Sequence, residues 1–143
     1  MTTHLTRFFH DSETSFGVFY PKDYLICTFP SLEQTARAAL AFRKLGLNDD
    51  DLLTLPGWEL LEYFAEFREQ SGLWSGLMKV ISRAFATEQS FADDDALKAN
   101  HGAGFLAVRC ASAQDAARYR ELLLPCEPLS MHRYTAGGVQ SLI

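Results

Sequence analysis

The chain has 143 residues, a length that suits one domain around one core. Hydrophobic residues make up 48% and charged residues 22%, with 11 Phe, which excludes a disordered or collagen-like chain. The net charge of -5, with scattered basic residues, argues against nucleic acid as a partner, because phosphate binding draws on clustered Lys and Arg. No apolar stretch approaches the roughly 20 residues that a bilayer requires. Residues 1–11 lack a charged region followed by an apolar run, so no signal peptide is expected. Cys27, Cys110 and Cys126 are too few and odd in number for a disulfide framework, and reduced thiols in a cytoplasmic protein are the expectation.

Residues 1–15 are polar, carry His4, His10 and Asp11, and read as a loose lead-in. Phe16-Gly17-Val18-Phe19-Tyr20 suits a short strand, with Pro21-Lys22-Asp23 as the turn behind it. Tyr24-Leu25-Ile26-Cys27-Thr28-Phe29 is β-branched and aromatic, and reads as the first firm strand, ended by Pro30. Ser31-Leu32-Glu33-Gln34 is a capping box: the serine oxygen accepts an early helical N–H, and the glutamine reaches back. The helix it opens runs to about Leu45 with Thr35, Ala38, Ala39 and Phe42 on one face, and Gly46 stops it. Asn48-Asp49-Asp50 is a turn, and Asp51-Leu52-Leu53-Thr54-Leu55 a second strand closed by Pro56-Gly57.

The middle reads as helical. Leu60, Leu61, Phe64 and Phe67 share one face, Trp74, Leu77, Met78, Ile81 and Phe85 another, and a shorter helix follows Ser90 over residues 92–99. Phe105-Leu106-Ala107-Val108-Arg109-Cys110 is the next firm strand, and Ser112-Ala113-Gln114-Asp115 a second capping pattern. Its helix carries Ala116, Tyr119, Leu122 and Leu123 and stops at Pro125. Leu129-Ser130-Met131-His132-Arg133-Tyr134 reads as a final strand, with Gly137-Gly138 leading into a tail. A shift of 81 residues lays Leu25 on Leu106, Ser31 on Ser112, Ala36 on Ala117 and Arg37 on Arg118, so the two halves are similar.

This order predicts one α+β domain over residues 1–143. Its architecture is a ferredoxin-like plait of two βαβ halves, with a four-stranded antiparallel sheet and a helical insert over residues 57–100. The strand Tyr24–Phe29, the helix from Ser31, and the half from Gly102 to Tyr134 resemble the heat-induced general stress protein domain, also called YflT-like. That resemblance implies a small stress-associated or accessory bacterial protein without established chemistry, and it carries over no site residues.

Side chains alternate along a strand. Leu25, Cys27 and Phe29 share a face with Leu106, Val108 and Cys110. Tyr24, Ile26 and Thr28 share the other with Phe105, Ala107 and Arg109, joined by Ser130, His132 and Tyr134. The second face gathers Tyr24, Thr28, Arg109, His132 and Tyr134 as candidate ligand-binding residues, with Arg109 to hold an anion and His132 or Tyr134 to handle a proton. It serves equally as a subunit contact, or as a floor beneath the insert. His101 with Gly102 and Gly104 matches no phosphate-loop order, and Asp49-Asp50-Asp51 and Asp93-Asp94-Asp95 lack Ca2+-loop spacing. No histidine pair has zinc spacing, so neither cofactor nor metal is expected. Cys27 reads as a structural thiol. The apolar middle, from Trp58 to Phe85, covers the sheet or serves self-association. The leading expectation is a non-enzymatic binding or interaction protein that forms a homo-oligomer, without nucleic-acid or membrane partners. The alternative is a small-molecule-binding protein or small enzyme that uses an open sheet face.

Overall fold

The computed structural model describes residues 8–9, 20–59 and 102–143. Strand β1 (Tyr24–Phe29) leads to helix α1 (Leu32–Lys44) and strand β2 (Leu52–Pro56). Strand β3 (Gly104–Arg109), helix α2 (Ala113–Leu123) and a 3-10 turn (Leu124–Cys126) follow. Strands β4 (Ser130–Thr135) and β5 (Gly138–Ser141) complete the order. The five strands form one antiparallel sheet in the order β2-β3-β1-β4-β5. The fold class is α+β.

The expected helical insert falls outside the described residues, apart from residues 57–59. So do residues 16–19 of the first expected strand, His4, His10, His101 and the acidic residues 93–95.

Both helices start as the sequence dictates. The Ser31 oxygen accepts from the Gln34 N–H at 3.2 Å, and the Ser112 oxygen accepts from the Asp115 N–H at 3.1 Å. Gln34 departs from the capping-box expectation. Its Oε1 accepts from the Ser31 hydroxyl at 2.7 Å, while its Nε2 donates to the Cys126 carbonyl at 3.1 Å. The side chain thereby ties α1 to the turn after α2 across 92 residues of chain.

The apolar faces of the helices lie on Leu25, Cys27, Phe29, Leu106 and Val108, with Phe42 and Tyr119 edge-to-face at 5.0 Å. Helix α1 buries Thr35, Ala38, Ala39 and Phe42, the face its spacing predicts. At its N-terminal end it comes so close to β3 that a Cβ on Gly104 would lie 2.7 Å from the Thr35 Cβ. A glycine is therefore required there for a steric reason.

Three boundaries differ from the sequence reading. Pro56 belongs to β2 instead of closing it; β2 is an edge strand, where a missing N–H costs no ladder bond. The supposed tail after Gly137-Gly138 is a fifth strand. Gly138, at φ 133°, supplies the backbone of a tight hairpin, braced by the Thr135 hydroxyl donating to the Gly138 carbonyl at 3.0 Å. Within the lead-in read as loose, Phe8 and Phe9 are buried against Tyr24, with ring centroids at 5.3 and 5.0 Å.

Candidate functional site

The sheet brings the five candidate residues onto one face without gathering them at one point. Tyr24 is the register partner of Arg109 on β3 and of Tyr134 on β4, so these three form one row. His132 lies in the next row, opposite Ile26. Thr28 sits four residues along β1 from Tyr24, about 13 Å away at strand rise. Its hydroxyl is 2.7 Å from the Ser130 hydroxyl.

This face is not open. Tyr24, Ile26, Thr28, Phe105 and Ala107 are all at most 2% exposed. Phe8 and Phe9 pack on the Tyr24 ring, and the Tyr24 hydroxyl donates to the Phe8 carbonyl at 2.8 Å. Arg109 is exposed, with its guanidinium 5.7 Å from the Tyr24 ring centroid and Nη1 donating to the Tyr24 hydroxyl at 3.4 Å. Tyr134 is met edge-on by Tyr20 at 5.4 Å, and the Tyr20 hydroxyl donates to the Thr135 carbonyl. The anion-holding and proton-handling roles therefore have no common opening on this face among the described residues. The Phe8-Phe9 pair was the sequence signal for a cover, but a lone aromatic pair has no period to read.

His132 is half-buried, and desolvation pushes its imidazole below the ordinary 6.5. The native pKa is thus lower than the unfolded one, so the unfolded chain takes up more protons as pH falls through about 6.5. Stability is expected to fall on acidification, and less in His132→Gln. Urea unfolding of both proteins at about pH 7.5 and about pH 5.5 checks this; equal losses would contradict it.

The cysteines are free and buried. Burial raises all three thiols, with Cys126 adding to the effect on Cys27 and the Arg133 guanidinium opposing it at Cys110. They act as core residues, not as nucleophiles. The first acidic triplet is accounted for by its turn: the Asn48 Oδ1 accepts from the Asp50 N–H at 2.9 Å, and Asp49 meets Arg43 at 3.5 Å. Among the described residues no group of three metal-ligating side chains occurs, and no helix is long and apolar enough to cross a membrane.

Two grooves mark the helix side. One, of about 180 Å3, is apolar and lies between α1 and β2, with Leu32, Ala36, Leu55 and Pro56 on its walls. The other, of about 310 Å3, opens where α1 ends and α2 begins. Leu45, Gly46 and Leu47 line it from the α1 exit, Asp51 from the approach to β2, Arg109 from the end of β3, and Ala111, Asp115 and Tyr119 from α2 and its lead-in. Neither groove is legible in the sequence, because each forms only where a helix packs beside the sheet.

Comparison of the chain with protein-family models, with curated proteins and with solved structures returned no match. The sites above therefore stand on their own geometry.

Proposed function

We propose that this chain is a small binding or interaction protein that pairs with a second copy of itself through the outer edge of β5. The reading includes the finer fold expectation: β4-β1-β3-β2 with α1 and α2 as a ferredoxin-like plait, to which β5 adds an edge. The observation that carries it is the character of that edge. β5 reads Gly-Val-Gln-Ser, with no charge and no proline, and all four residues are exposed, Val139 by 52%. Such an edge invites pairing, whereas the opposite edge, β2, carries Pro56. Leu142 N–H donates inward to the Met131 carbonyl at 2.8 Å. By antiparallel alternation the N–H groups of Val139 and Ser141 then point outward. Two copies related by a two-fold axis would join their β5 strands into one continuous sheet.

A cytoplasmic setting is supported by three free thiols. A stress-associated role rests solely on the resemblance of the two strand–helix halves to the stress-protein domain, and the edge reading stands without it.

Light scattering on the purified chain is expected to give a dimer mass. Ser141→Pro removes one outward N–H while sparing the ladder to β4, and Val139→Lys places a charge on the edge; both are expected to give monomers with unchanged circular dichroism. A strict monomer at millimolar concentration, or dimers that survive both substitutions, would overturn the proposal.

A further inference from the structure

The outer edge of β5 carries a self-complementary pattern that selects how two copies meet on it, an inference that rests on the edge pairing proposed above. The Leu142 N–H donates to the Met131 carbonyl at 2.8 Å, which sets the alternation of the hairpin. Gly138, Gln140 and Leu142 face β4 with their backbone groups, and Val139, Ser141 and Ile143 face outward. Because Leu142 still bonds β4, the ladder runs past Ser141 and the alternation reaches Ile143. The side chains of the three outward-bonding residues share one face of the sheet. On that face Val139 stands opposite Tyr134, and Ser141 opposite His132. Val139 is 52% exposed and Ile143 51%, with the small polar Ser141 between them.

Two-fold symmetry limits the registers. It maps residue i onto j and j onto i, so two antiparallel copies of one strand share a central residue when outward groups meet outward groups. A centre on Gly138 or Val139 draws Gly137 into the ladder, but the Gly137 N–H is already spent on the Thr135 hydroxyl oxygen at 3.2 Å. A centre on Gln140 sets Val139 against Ser141 and brings Ile143 against the turn glycine Gly137, so neither apolar side chain gains an apolar partner. A centre on Ser141 sets Val139 against Ile143, and the symmetry repeats that pair on the other side of the axis.

We propose that the two β5 strands pair with Ser141 on the two-fold axis, so that Val139 of each copy packs on Ile143 of the partner subunit. Cross-strand apolar pairs are the unit of sheet stabilisation, and this register makes one on each side of the axis. It also prolongs the row Tyr24–Tyr134–Val139 onto Ile143 of the partner subunit. The small Ser141 side chain suits the axis, where two identical residues face each other with Cα atoms about 5.5 Å apart.

That spacing lies inside the range a disulfide spans. The test is cross-linking of Val139→Cys, Gln140→Cys and Ser141→Cys by oxidised glutathione, which takes up the two electrons as the new disulfide forms. The native thiols are buried, so the introduced one is the reactive group. Ser141→Cys is expected to give a covalent dimer. Gln140→Cys and Val139→Cys are expected to stay uncrosslinked, since their Cα atoms lie beyond about 7 Å from their own copies in this register. Ile143→Ala is expected to raise the dimer dissociation constant about fivefold or more, because both apolar pairs shrink at once, while Leu40→Ala on α1 leaves it unchanged. Cross-linking through Gln140→Cys or Val139→Cys in preference to Ser141→Cys would overturn this register and leave the edge pairing standing. A dimer mass with none of the three cross-linked would place the contact elsewhere and overturn both readings, as would a monomer mass for the natural chain. An unchanged dissociation constant for Ile143→Ala would overturn the apolar pairing.

Discussion

Gly104→Ala is expected to lower the unfolding free energy by about 2–3 kcal/mol, although it adds a single methyl group. The added carbon would fall inside the Thr35 hydroxyl and 2.7 Å from the Thr35 Cβ. Thr35 has little room to yield. It is 4% exposed, and its hydroxyl donates to the Ser31 carbonyl at 2.9 Å, back across the first turn of α1. Relief therefore requires moving the start of α1 away from β3, which disturbs the capping contacts of Ser31 and Gln34. Denaturant unfolding of Gly104→Ala, Thr35→Ala and the double variant measures this. Because one clash links the two sites, the double variant is expected to lose less than the sum of the single losses. Strict additivity would show that α1 does not bear on β3 at this point.

Tyr24→Ala is expected to cost about 3–5 kcal/mol, a large share of the roughly 5–15 kcal/mol that holds a domain together. Tyr24 is 2% exposed and sits at the centre of the row Arg109–Tyr24–Tyr134. Its ring contacts Phe8 and Phe9, and its hydroxyl links the Phe8 carbonyl to the Arg109 guanidinium. Tyr24→Phe keeps the ring and loses the hydroxyl, so it is expected to cost about 1–2 kcal/mol. Leu40, 52% exposed on α1, serves as the control, with Leu40→Ala expected to fall within about 0.5 kcal/mol of the natural chain. A loss below about 1 kcal/mol for Tyr24→Ala would mean that the second sheet face is wet, and would restore it as a binding surface.

The faces of the inner strands are legible in the sequence, for a simple reason. Alternation has period two, and the 81-residue offset puts Leu25 and Leu106 on the same face, which is where both lie. The capping serines were equally legible, because a cap is a local event. Long-range features were not. Strand β5 has one large apolar residue in four, so no pattern separated it from a tail; the Gly137-Gly138 pair was its one signal. The cover that Phe8 and Phe9 provide for Tyr24 depends on a tertiary contact between elements with no shared period. The same holds for Tyr119. Its place on the apolar face of α2 follows from its spacing, but the carboxylate of Asp51 reaches its neighbourhood only once α1, β2 and α2 have assembled.

Interstrand nuclear Overhauser effects test the central arrangement most directly. The backbone of Ile26 is expected to show close contacts on both sides, to Ala107 on β3 and to His132 on β4, in antiparallel register. Contacts on one side alone, or β3 paired away from β1, would contradict the sheet order from which every site described above takes its position.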